Sequence, residues 1–171
     1  MHVVFLDMDG VLNNANFMGS IRDPAHIAPD PNTDYWWLRM IDPEAVERLN
    51  QIVEATEAKV VISSSWRYHN TPEDMQRYLN ARGFRGEVIG RTCAAHMLPE
   101  GIRGLDGTRG HEIHWWLVKN RDLMVDGFVI LDDMSAGAFA HMATYLVQTS
   151  WATGLLDKHV PAAIKKIQDG A

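Results

Sequence analysis

Five short apolar runs punctuate the chain: Val3–Leu6, Val60–Ile62, Glu87–Ile89, Phe128–Leu131 and Tyr145–Gln148. They are continuous rather than alternating, as expected of strands covered on both faces of a parallel sheet. Between them the apolar positions fall at helical spacing. Pro43–Thr56 sets Val46, Leu49, Ile52 and Val53 on one stripe, and Pro43 suits a first helical turn. Thr71 is a good N-cap, followed by Pro72 and Asp74, and Gly83 closes that helix. After Gly110, His111–Lys119 carries Ile113, Trp116 and Leu117. Ser135–Ala143 and Val160–Ile167 read as two further helices. Strands alternating with helices predict an α/β fold: a central, mainly parallel five-stranded sheet flanked by helices, with right-handed crossovers.

Two stretches break this rhythm. Asn13–Asp42 holds Pro24, Pro29 and Pro31 and has no clear period, so it reads as a loop or small flap inserted at about 13–42. Thr92–Gly110 has glycines at 101, 104, 107 and 110 and reads as a mobile loop. A chain of 171 residues is one domain, 1–171, long enough to bury a core without staples. Cys93 is the sole cysteine, which rules out a disulfide within the chain and suits a reducing, cytoplasmic compartment. No apolar run approaches the roughly 20 residues that span a bilayer. The first strand begins at once and runs into acidic residues, so neither a secretory leader nor a membrane partner is expected. The net charge of −6 argues against a broadly basic nucleic-acid surface and leaves room for a local basic patch.

The chemistry concentrates where the apolar runs end. Val3–Leu6 is followed by Asp7-Met8-Asp9-Gly10, and Phe128–Leu131 by Asp132-Asp133. In an open parallel sheet, ligands bind at the carboxyl ends of the strands. If the two strands are neighbours, up to four carboxylates converge there and raise one another's pKa. A hard divalent cation relieves that repulsion, and oxygen ligands with water to spare suit Mg²⁺. Val60–Ile62 ends at the same edge with Ser63, Ser64 and Ser65, whose hydroxyls and amides suit phosphate oxygens. Gly10 lets the backbone turn sharply. A cation should complete the site. Arg67–Arg109 holds seven of the eleven arginines and no lysine, and Arg109, just before the His111 helix, is placed to reach the edge with a fork that fits phosphate.

These motifs, in this order, resemble the haloacid dehalogenase (HAD) superfamily of phosphohydrolases, whose fold is Rossmann-like. The wording is most similar to the small HAD phosphatase domains of RNA-repair proteins. Their Ser-Ser-Trp-Arg, Arg-Gly-x-Glu-Ile-x-x-Trp-Leu and Ile-Leu-Asp-Asp segments correspond to Ser64–Arg67, Arg109–Leu117 and Ile130–Asp133, and a looser Thr149–Leu155 segment follows. The resemblance implies Asp7 as nucleophile, forming an aspartyl-phosphate, and Asp9 as general acid and base with its backbone carbonyl on the metal. It implies Asp132 and Asp133 beside Asp7 and Asp9 as the metal-binding set. Ser64, or alternatively Ser63, would supply the second-motif hydroxyl. Arg109 takes the place of the usual lysine. Gly10, Ser63, Ser65 and Arg67 are the expected substrate contacts.

Neither gap between motifs holds a full cap domain, so the site is expected to be open. By resemblance, open sites serve bulky substrates such as polynucleotide ends or phosphoproteins. Trp36, Trp37, Trp66 and Tyr68 are candidates for stacking on a base. The resulting expectation is a Mg²⁺-dependent phosphomonoesterase acting on a nucleotide or a nucleic-acid phosphate end, with another small phosphometabolite or a phosphoprotein as the alternative. Two non-enzymes compete: a phosphorelay receiver, which by resemblance needs a lone mid-chain Asp where Val60–Ser64 offers serine, and an inactive phosphate-binding module. His111 and His114, three apart, lack the zinc-protease spacing and read as ordinary helix residues, and Cys93 reads as structural.

Overall fold

The computed structural model describes residues 1–21, 33–103 and 105–170, with the backbone alone at 33–36. Five strands form one sheet: β1 (His2–Leu6), β2 (Lys59–Ile62), β3 (Val88–Arg91), β4 (Gly127–Asp132) and β5 (Leu146–Gln148). Their order is β3-β2-β1-β4-β5, and every pairing is parallel. The chain winds outward from β1 in both directions, so the strand order reverses between β1 and β4. In this architecture the crevice at such a reversal is where ligands bind.

Helices cover both faces. On one lie α3 (Pro43–Thr56), α4 (Pro72–Ala81) and α6 (His159–Gln168), packed through Val46, Leu49, Leu79 and Ala163 onto Val4, Leu6, Val60 and Val129. On the other lies α5 (Thr108–Lys119), whose Ile113 and Trp116 meet Val3, Phe5 and Phe128. The alternate residues of β1 therefore feed two separate cores, which is why its sequence is apolar throughout. Thr71 caps α4 as expected, in a full capping box with Asp74.

Four expectations need correction. Part of 13–42 is helical: α1 (Ala15–Ser20), capped by the Asn14 side chain on the Phe17 amide, and α2 (Thr33–Met40). The cap, not a period, starts α1, and at six residues α1 is too short to show one. Residues 22–32 of this segment lie outside the described ones. The Ser135–Ala143 helix is instead a 3-10 stretch, Ala136–Tyr145, broken at Ala140, where φ is 48°. The third correction concerns α5, which begins at Thr108, so Arg109 lies in its first turn rather than before it. Position 110, within that helix, is glycine because a Cβ there would come within 1.9 Å of the Phe139 carbonyl oxygen. Finally, Thr92–Gly110 is partly ordered by a 3-10 turn, Ala95–Met97, flanked by buried Ala94 and Leu98, with Arg103 donating to the Leu98 carbonyl. Between β1 and β2 the described residues add only α1 and α2 to the crossover helix α3, far short of a full cap.

Candidate active site

Strand register assembles the site. Leu6 is level with Ile62 on one side and Leu131 on the other. The next residues, Asp7, Ser63 and Asp132, therefore share a rung, tied by Asp7 N–H to Leu131 O at 2.9 Å and Ser63 N–H to Leu6 O at 2.7 Å. Beyond it the chain turns back tightly, the Gly10 amide donating to Asn13 O. The buried Thr149 hydroxyl donates to Gly10 O at 2.6 Å, so the loop after β5 clamps the loop after β1. Gly10 has φ +75°, and a Cβ on it would lie 2.3 Å from Asp133 Cγ. Only glycine lets Asp133 approach.

Carboxylate oxygens of Asp7, Asp132 and Asp133 lie within 4.8 Å of one another. Burial, then the neighbouring Asp132, pushes Asp7 from the ordinary 3.8 up to about 7. Arg109 and a hydrogen bond from the Ser64 hydroxyl oppose the rise. Burial likewise raises Asp132 to about 6, against the pull of Arg109, and raises Asp133. Asp132 Oδ2 is fully buried and accepts no hydrogen bond. An all-oxygen cradle with an unsatisfied buried carboxylate oxygen fits a hard divalent cation.

Asp9 is held differently. Its carboxylate accepts from Trp66 Nε1 at 3.1 Å on each oxygen and from Asn13 Nδ2 at 2.8 Å. Its side chain thus lies outside the three-carboxylate cluster. Ser64 faces Asp7, whereas the Ser63 hydroxyl is buried without a partner and Ser65 is exposed at the start of the 3-10 turn Ser65–Tyr68.

Arg109 Nε is 3.5 Å from Asp132 Oδ2, which brings a cation to the edge of the acidic cluster. Arg67, expected on the substrate, is instead buried, donating to Ser64 O at 2.9 Å and to Glu112 at 2.9 Å. Glu112 also receives Arg109 Nη1 at 3.4 Å. A line of alternating charge, Arg67–Glu112–Arg109–Asp132, thus runs from the serine turn to the acidic cluster. Glu112 is the glutamate of the Arg109–Leu117 segment, for which the sequence suggested no role, and it shares the sheet-facing stripe 109, 112, 113, 116 of α5. Trp66 is buried against Trp37 at 4.8 Å and is engaged with Asp9, so it is not free to stack on a base. The Trp36 side chain lies outside the described residues.

Against known families, residues 3–160 match the HAD domain in Swiss Army Knife RNA repair proteins. The chain belongs to this family. It is an RNA-repair-type HAD domain with a Rossmann-like sheet, and the family points to a phosphoesterase-type hydrolase that uses a metal ion. Among its described residues, Asp7, Asp132 and Asp133 form a cluster able to hold such an ion. No curated protein and no solved structure matches the chain. Among the described residues of the HAD domain, no helix is long and apolar enough to cross a membrane.

Proposed function

We propose that this HAD domain is a Mg²⁺-dependent phosphomonoesterase that removes a terminal phosphate from a polynucleotide through an aspartyl-phosphate on Asp7. The observation that carries this reading is the convergence of Asp7, Asp132 and Asp133, with Arg109 as the cation in contact with them. Asp7, Asp132, Asp133 and the backbone carbonyl of Asp9 would hold the ion, which when bound neutralises the cluster and the phosphate charge.

The Asp7 carboxylate attacks phosphorus, and the bond to the leaving oxygen breaks. Asp9 gives that oxygen a proton. Water then attacks the phosphorus of the acyl phosphate and passes its proton to Asp9, releasing inorganic phosphate and restoring Asp7. Two fixed donors, Trp66 and Asn13, keep the Asp9 carboxylate oriented between the steps. Arg109, supported from behind by Glu112, stabilises the charge spread over the phosphoryl oxygens. The Ser64 hydroxyl and the Ser63–Ser65 amides take the remaining oxygens. Gly10 acts by making room for Asp133, and Arg67 acts through Glu112 rather than on the substrate.

The test is a screen of phosphate release over 3′- and 5′-phosphorylated oligonucleotides, nucleotides, sugar phosphates and phosphopeptides, with and without Mg²⁺. Release from oligonucleotides that needs Mg²⁺ and vanishes in Asp7→Asn is the expected outcome. Release confined to sugar phosphates or phosphopeptides would contradict the substrate class, and no release from any of them would contradict the enzymatic reading.

A further inference from the structure

A cleft of about 600 Å³ opens beside β3, between the Ser65–Tyr68 turn and α5. Its lining sets Arg67, Arg91 and Lys119 among aromatic and aliphatic side chains and contains no carboxylate, in a chain of net charge −6. Arg91 is exposed at its mouth, anchored by Nη1 to the carbonyls of Arg67 and Asn70 at 2.6 and 2.9 Å, with no acidic partner among the described residues. Lys119 lies 5.1 Å over the Trp115 ring, also without a carboxylate. Tyr68 is 55 % exposed, and His96 is also exposed in the lining. Thr92, only 2 % exposed, keeps in the cleft wall a hydroxyl with no hydrogen-bond partner. Unopposed cations beside flat aromatic faces are the recognition chemistry of a single-stranded nucleic acid.

The cleft adjoins the acidic cluster. Arg91 is level with Ile62, and Ile62 with Leu6, which places Arg91 two strands from the residue before Asp7. At about 4.8 Å per strand this is roughly 10 Å, a span of about three stacked nucleotides, fewer if extended. Arg67 is the shared wall, lining the cleft on one side and binding the Ser64 carbonyl on the other.

We propose that this cleft holds the single-stranded RNA next to the terminal phosphate, so that the substrate is the end of a strand rather than a free nucleotide. The inference rests on the reading of the Asp7 cluster as the phosphatase site. An acidic peptide would satisfy the cations but make no use of the ring faces that Arg67 and Lys119, each over one face, leave open on Tyr68 and Trp115.

The test uses the full chain. Fluorescence anisotropy of a labelled, phosphorylated RNA hexamer is measured on Asp7→Asn protein, alone and combined with Lys119→Glu or Tyr68→Ala, both surface changes. Each added change is expected to weaken binding about tenfold, and binding should weaken with rising salt. In the active protein each change should lower the ratio of kcat/KM for the hexamer to that for p-nitrophenyl phosphate about tenfold. Hexamer binding unaltered by both changes, or polyglutamate competing as well as the hexamer, would overturn the proposal. Absence of turnover on p-nitrophenyl phosphate as well as the hexamer would instead count against the phosphatase reading, and the anisotropy would still decide the cleft.

Discussion

In the proposed mechanism Asp7 faces two opposed demands, since burial favours the neutral acid whereas attack on phosphorus needs the carboxylate. With its pKa raised from 3.8 to about 7, the folded protein holds this proton more tightly than the unfolded chain does. The associated stability is complete below about pH 4 and is lost as the pH climbs through 7. Asp7→Asn removes the titrating group. In metal-free protein the variant should therefore gain on its parent between pH 5 and pH 8, by about 2–4 kcal/mol in urea melts. A difference independent of pH would contradict this account. Gly10 offers a second test at the same scale. Gly10→Ala and Gly83→Ala both force alanine into a left-handed backbone, at about 1–2 kcal/mol. Only the first collides with Asp133, whereas the second meets open space. Calorimetric titration should show divalent-cation binding weakened in Gly10→Ala and unchanged in Gly83→Ala. The aspartates themselves were legible because each pair closes an apolar strand. The task of Arg67 was not, because its partner Glu112 lies 45 residues away and meets it only through packing.

At the scale of elements, α5 is the arm that carries Arg109 to the sheet edge, and Glu112 fixes its charge. Both Arg67 and Glu112 have side chains only 4 % exposed. Removing one partner leaves the other as an uncompensated buried charge, so Glu112→Ala should lower stability by about 3–5 kcal/mol. It should also reduce turnover by freeing Arg109. Denaturation and kinetics on the same sample check both, and wild-type stability in the variant would refute the charge line. The position of α5 was only half legible. Its apolar stripe shows in the sequence, but its first turn does not, because Gly110 reads as a helix breaker until Phe139 is seen pressed against it. The Ser135–Ala143 segment misled for a related reason. Its composition suits a helix, yet Ala140 adopts φ 48° where the segment packs on α5 and β5, and tertiary packing overrides propensity.

In the molecule as a whole, a central strand buried on both faces, with chain leaving it to either side, brings segments more than a hundred residues apart to one rung. The parallel sheet and its flanking helices could be read in advance from continuous apolar runs and alternating helices, whereas the sequence left the adjacency of β1 and β4 only as a condition. What lay beyond the sequence is the shape of the surroundings of the acidic cluster: the clamp of Thr149 on Gly10, the cleft beside β3 and the approach of α1 to the loop after β5 are all products of packing. The central claim is that Asp7 itself takes up the phosphoryl group. Borohydride quenching during turnover reduces an acyl phosphate on an aspartate to homoserine, which peptide mass spectrometry locates. The account predicts that conversion at position 7, dependent on both Mg²⁺ and phosphorylated substrate. Steady phosphate release with Asp7 recovered unmodified, or conversion at Asp9, Asp132 or Asp133 instead, would contradict it.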